Sequence, residues 1–321
     1  MKGIELQAHH IFILVAGAFI LSFFIIVALK FRASSEARAD FQISTNLRGV
    51  FTSAAQSSGS ALNATLPKRM KYDCGRTCDC GIVTGSKRTR LAESFFAPGE
   101  FPTIKAFLFS QPWGLPRSTN FVYLTSPDYY YYIYHNDDQQ AKTILKKIPP
   151  VIRVQELGPG QSPEYHGEER SVFVYLFTNR KQVSDDFDDF IEVKLASDNA
   201  VYYRSKGNGQ AVFSPDEAVY LAALFSEDEN VLKCNLRKAY ARMEQVAEVL
   251  HDRIQLLGAK ADAECVGYAD AQDQAGFIRE EARTLKQSEQ DSTALGRLGN
   301  AQREIQTIND ALTNAGCPQV Y

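Results

Sequence analysis

The sequence predicts a mixed α/β fold with helices at both ends, and three observations carry that prediction. An uncharged apolar run lies near the N-terminus, short runs rich in β-branched and aromatic residues flank one amphipathic helix in the middle, and two apolar seams recur at heptad spacing in the last hundred residues. With 321 residues, 45% of them hydrophobic and 23% charged, and a net charge of −3, the chain has ample material for a core. Nothing in that balance marks a nucleic-acid binder or a disordered chain.

Residues 11–29, IFILVAGAFILSFFIIVAL, carry no charge and have Ser22 as their single polar side chain. As a helix rising 1.5 Å per residue the run is ~28 Å long, which matches the hydrocarbon thickness of a bilayer. A cleaved secretory signal has a shorter apolar core and a small-residue cleavage site, whereas here Lys30 and Arg32 follow directly. A single-pass transmembrane signal-anchor is therefore expected. Lys30, Arg32 and Arg38 favour a cytoplasmic C-terminal domain by the positive-inside rule. Six cysteines, an even number, and the sequon Asn63-Ala64-Thr65 favour the other side, because disulfides persist outside the cytosol. The cysteines weigh more. An extracellular ectodomain is expected, with Asn63 its candidate glycosylation site. Beyond the span, Phe41, Leu47, Val50, Phe51 and Ala54 stand at mostly helical spacings, so residues 1–56 are expected to form the anchor and a helical stalk.

Residues 57–102 read as a Cys-containing basic connector. Between positions 66 and 90, seven basic residues (Lys68, Arg69, Lys71, Arg76, Lys87, Arg88, Arg90) meet two acidic ones (Asp73, Asp79), a charge that suits anionic lipid headgroups. Cys74, Cys78 and Cys80 lack the second knuckle of a structural zinc site, so no metal is expected there and disulfides are.

Residues 103–215 read as an α/β domain. Strands are expected at 104–109, 121–124, 129–134, 151–157, 172–177, 191–195 and 200–203, with a further run from Ala211 to Phe213 after a tight turn at 206–209. Between Tyr134 and Val151 the chain is acidic first and basic last, places Ala141, Ile144, Leu145 and Ile148 on one face, and stops at Pro149-Pro150. Strand, helix, strand of this length is a βαβ unit with a parallel pair. Ser184 followed by aspartates reads as a second helix start rather than a calcium loop. The run YYYYIY at 129–134 is expected to be a buried strand with tyrosines on both faces.

Residues 216–321 read as a helical hairpin. Leu236, Tyr240, Met243, Ala247, Leu250, Ile254 and Leu257 make one heptad seam, and Leu298, Ala301, Ile305, Ile308, Leu312 and Ala315 another. Two seams close most simply as an antiparallel coiled coil, with the glycine-containing stretch between them frayed or bent. That arrangement brings Cys234 beside Cys317 and predicts a disulfide between them, leaving Cys265 for the Cys74, Cys78 and Cys80 cluster.

No GxSxG elbow, HExxH helix, Walker loop or GxGxxG turn follows a strand, and a non-enzymatic protein without cofactor is the favoured reading. Its partners would be the bilayer and other surface or membrane proteins. The alternative is an anchored enzyme or small-ligand receptor at the carboxyl edge of the parallel strands, where His135, Asp137 and Asn179 fall.

The opening MKGIELQAHHIFILVAGAFIL, the stretch Thr119-Asn120-Phe121-Val122-Tyr123-Leu124-Thr125-Ser126-Pro127 and the ending Gly316-Cys317-Pro318-Gln319-Val320-Tyr321 resemble a group of uncharacterised archaeal single-pass membrane-anchored proteins. That likeness implies an anchored cell-envelope protein. The Lys2-Gly3 start is also similar to the leader of archaeal pilin-like precursors, which implies a filament subunit as a further alternative. It departs from that pattern at Ala8, where a glutamate is expected.

Overall fold

The computed structural model describes residues 21–27, 29–30, 35, 38, 41–43, 45–57, 59, 61–66, 68–75, 77–85, 87–115, 119–136, 138–164, 170–177, 190–195, 200–203, 209–212, 216–261, 265–288 and 291–321. Its architecture is mixed α/β, with three sheets and a set of packed helices. The first half of the apolar run, residues 11–20, lies outside the described residues. Residues 21–27 and 29–30 are helical, and Leu21, Phe23, Phe24 and Leu29 are exposed. Among the described residues no helix is long and apolar enough to cross a membrane.

A helix over residues 45–56 (α1) turns Leu47, Phe51 and Ala54 inward, three positions on one helical stripe. Phe51 is fully buried and meets Phe95 edge to face, with ring centroids 5.3 Å apart.

Residues 57–102 are not a connector, because they supply six strands: β1 (Ala61–Thr65), β2 (Met70–Cys74), β3 (Cys80–Thr84), β4 (Lys87–Arg90), β5 (Phe95–Phe96) and β6 (Glu100–Phe101). The physical reason lies in the alternation. Met70, Tyr72 and Cys74 point inward while Lys71 and Asp73 point to solvent, so the charges form the wet face of a sheet. That antiparallel sheet has the order β4-β3-β2-β6.

The strands expected downstream are present. A second sheet, ordered β1-β7-β8-β5, is built on β7 (Lys105–Trp113) and β8 (Thr119–Thr125). The third contains β9 (Tyr129–His135), β10 (Arg153–Leu157), β11 (Arg170–Leu176), β12 (Phe190–Leu195), β13 (Ala200–Tyr203) and β14 (Gly209–Val212), in the order β10-β9-β11-β12-β13-β14. Between β9 and β10 runs α2 (Gln139–Lys146), and the two strands are parallel, so the βαβ unit stands. Asp138 caps α2 by accepting from Gln140 N and Ala141 N. β11 and β12 are also parallel, whereas β13 and β14 close the sheet as an antiparallel pair. The expected helix start at 184–189 and residues 206–208 of the expected turn lie outside the described residues, and Gly209 of that turn opens β14.

The tyrosine strand divides its rings between two cores. Tyr129, Tyr131 and Ile133 join the main core, while Tyr132 and Tyr134 stack on Phe173 and Tyr175 across the opposite face, at 5.2 and 4.9 Å. Their hydroxyls are partnered: Tyr131 Oη lies 2.7 Å from Thr125 Oγ1, and Tyr132 Oη donates to the Glu164 carbonyl. Helix α3 (Glu217–Phe225) is apolar all round and accordingly buried, with Phe225 against Phe109, Tyr123 and Tyr131 of two different sheets.

After α3, the described residues form three helices, not two: α4 (Glu229–Gly258), α5 (Tyr268–Gln287) and α6 (Ser292–Asn314). Glu244 of α4 binds Arg283 and Lys286 of α5, while His251 meets Gln272, so α4 and α5 are antiparallel. Arg297 of α6 grips Glu281 of α5 with two bonds and Tyr268 Oη donates to the Pro318 carbonyl, so α6 reverses again. The expected two-helix antiparallel hairpin is thereby corrected, since a third helix between the seams makes α4 and α6 parallel. The overlooked seam is Tyr268, Ala271, Ala275, Ile278, Ala282 and Leu285, whose alanines pack closely but weigh little in a hydropathy pattern.

Candidate functional site

The carboxyl edge of the parallel strands is the place where open α/β sheets bind ligands, most often where the strand order reverses. β9 leads to β10 on one side, and β11 lies on the other, so the reversal falls between β9 and β11. His135 stands there opposite Leu176, and Phe177 just beyond takes a left-handed backbone conformation at φ 51°. His135 is buried, with Nε2 3.7 Å from Oε2 of Glu156 on β10. Asp137 and Asn179, the two residues expected beside it, lie outside the described residues. Phe177 sets its ring against Tyr220 of α3.

The cysteines converge elsewhere. Cys74 and Cys80 face each other across the β2–β3 ladder and are bonded. Cys78, in the loop between them, is bonded to Cys234 on α4, and Cys265 to Cys317. The expected Cys234–Cys317 bond is therefore not formed, nor does Cys265 reach the first cluster. With α6 parallel to α4, the chain end lies far from Cys234: Arg253 donates to the Gln319 carbonyl, nineteen residues along α4 from Cys234, or roughly 28 Å of helix.

Beneath the bond to α4 sits Asn235, fully buried. Its Nδ2 donates to the Val231 carbonyl and to Tyr72 Oη, both at 2.9 Å, and its Oδ1 accepts from Phe95 N at 3.2 Å. Its own carbonyl accepts from Ser94 Oγ. Tyr72 Oη in turn donates to the Phe95 carbonyl, and burial pushes its phenol well above the ordinary range. One amide thus joins α4, β2 and β5. Asn235→Ala removes the acceptor of a buried N–H, and a loss of about 2 kcal/mol is expected. Urea unfolding of the variant at neutral pH checks this; an unchanged midpoint would mean that the amide contributes nothing.

Along α4, one turn further, a cleft of about 640 Å³ opens between α1 and α4. Its walls are Ala55 and Gln56 at the end of α1, the segment from Ala92 to Ser94, Asn120 at the start of β8, and Lys238, Ala241, Arg242 and Gln245 of α4. The Asn120 Nδ2 donates to the Ala55 carbonyl at 2.7 Å, satisfying an acceptor at the helix end that has no partner within the helix. Lys238 Nζ donates to the Leu91 carbonyl at 2.8 Å. Burial draws its ammonium down to about 8, against the opposing pull of Asp79 and Glu93. Glu93 accepts from Thr52 Oγ1 of α1 at 3.2 Å. Sequence inspection misses this site, because Lys238 and Arg242 look like ordinary charges on a helix surface and Glu93 is remote in the chain. A second cleft, of about 600 Å³, includes Gln111, Lys147 and Asp216. There the Asp216 carboxylate accepts from Ala218 N and Val219 N, and so serves as the N-cap of α3.

Much of the basic stretch is neutralised locally. Lys71 meets Glu100 at 2.6 Å, Arg88 meets Asp73 and Arg90 meets Asp79, each at 3.0 Å. Glu100 also receives Arg170, and the two cations hold its carboxyl down to about 2, with Lys71 the stronger. Asn63 is exposed on β1, an edge strand. Among the described residues no group of three His, Cys, Asp or Glu side chains is placed to hold a metal ion.

Fold and cysteines together define a disulfide-stapled α/β domain joined to a three-helix bundle, with a polar cleft at the seam. No family model matches the chain, and no curated protein or solved structure is significantly similar to it.

Proposed function

We propose that this chain is a non-enzymatic protein of the cell envelope, held in the membrane by the apolar run of residues 11–29 and working outside it through binding contacts of its folded domain. The observation that carries the reading is the state of the cysteines: all six are bonded in three pairs, with none left over. Bonds of this kind persist in oxidising compartments and are rare where cellular thiols keep cysteines reduced. The exposed apolar side chains from Leu21 to Leu29 fit a lipid environment, since a patch of that kind in water is costly. The partners in this reading are other surface or membrane proteins. Anionic headgroups along the stretch Lys68 to Arg90 are a weaker attraction, given the ion pairs that occupy Lys71, Arg88 and Arg90.

Protease added to intact cells is expected to degrade the domain, while a cytoplasmic marker survives. If the domain stays whole until the membrane is broken, the orientation is the reverse and the charges after the span decide it.

A further inference from the structure

We propose that the cleft between α1 and α4 binds a small soluble ligand through an anionic group, a carboxylate or a phosphate, held by Lys238 and Arg242. The two cations stand four residues apart on α4, so their side chains leave the helix on one face, and that face is a wall of the cleft. Lys238 uses one of its three ammonium donors on the Leu91 carbonyl. That bond fixes the amine while two donors remain for a ligand. Among the described residues Arg242, Gln245 and Gln56 have no side-chain hydrogen bond or ion pair, so a guanidinium and two amides line the same space without internal partners. Glu93 is the acid of the lining, and Thr52 already donates to it.

Two cations against one carboxylate leave the cleft with a net positive charge, which selects an anion. A half-buried ammonium and a guanidinium give charge-assisted hydrogen bonds, roughly twice as strong as neutral ones. At about 640 Å³ the space falls within the range of small-molecule sites, ~300–1,000 Å³. A macromolecular chain would need an extended groove. Because Gln56 belongs to α1 and Arg242 to the bundle, an occupant would tie α1 to the bundle.

The test is protection of Lys238 from chemical modification. The full chain, in an uncharged detergent, is treated with a limiting amine-acylating reagent and each lysine is mapped by mass spectrometry. The additions compared are inorganic phosphate, acetate, sodium chloride at equal ionic strength, and phosphatidylglycerol vesicles. Phosphate or acetate at a few times its dissociation constant is expected to slow acylation of Lys238 about fivefold relative to chloride, as occupancy requires, and to leave exposed Lys105 unchanged. Arg242→Gln is expected to abolish the protection while Lys238 still reacts and the circular dichroism is unaltered. Four results would overturn the proposal: equal protection by chloride, which is screening; protection by vesicles but not by phosphate or acetate, which is a lipid surface; full protection retained in Arg242→Gln; or a Lys238 that resists acylation in chloride, since a cleft closed to the reagent is closed to a ligand.

Discussion

Replacing Cys78 and Cys234 together by serine is expected to destabilise the domain by up to about 5 kcal/mol. The bond joins residues 156 apart in sequence, and the chain-entropy model assigns ~5 kcal/mol to a loop of that length. The same model assigns ~4 kcal/mol to Cys265–Cys317, separated by 52, and ~2 kcal/mol to Cys74–Cys80, separated by 6. Each figure is an upper bound, because the other two bonds already restrict the unfolded chain. Guanidinium unfolding of the three paired-serine variants, without reductant, should rank them in that order. If loss of Cys78–Cys234 proved the mildest, the bond would not be the main tie between α4 and the β2–β3 hairpin. Unreduced peptide mapping is an independent check, and a peptide linking Cys234 to Cys317 would refute the parallel placement of α4 and α6.

Phe51→Ala is expected to cost about 4 kcal/mol, the usual loss when a fully buried phenylalanine is truncated. The damage should be local. Phe51 lies at the centre of the stripe that docks α1, with Leu47 one turn before and Ala54 after, and its ring rests on Phe95. Without it α1 loses its hold on the sheets, and limited proteolysis should cut between residues 30 and 57 while the rest of the domain stays intact. Since Ala55 and Gln56 form one wall of the cleft, anion protection of Lys238 should fall in the same variant. Resistance of α1 to protease in Phe51→Ala would show that the helix is held by something other than this contact.

Local pattern determined a great deal. The β-branched and aromatic runs from Lys105 to Val212 became strands because alternation, short length and turn residues agreed there. The stretch from Asp138 to Lys146 became a helix because its cap, its charges and its apolar face agreed. The parallel pairing of β9 and β10 followed from a connection of suitable length. Where one signal masks another, the local pattern does not give the element. In Met70–Cys74 the alternation is present, but the lysine and the aspartate of its wet face belong equally to a charged surface segment. In Tyr268–Leu285 the heptad was present, but alanines carried it.

What the sequence by itself determined is therefore the kind and place of most elements, the evenness of the cysteines and an apolar run long enough for a membrane. Which elements meet was decided by the tertiary structure. The Cys74–Cys80 bond depends on the pairing of β2 with β3, and the Cys78–Cys234 bond on that hairpin lying against the first turns of α4. The Cys265–Cys317 bond depends on α5 reversing the chain so that α6 ends beside the far part of α4. The cleft gathers α1, the loop at Glu93 and two turns of α4 from segments nearly two hundred residues apart. Periodicity records which face of an element is dry, and many partners can satisfy a dry face. The choice among them is made by the packing of the whole chain, which no local window contains.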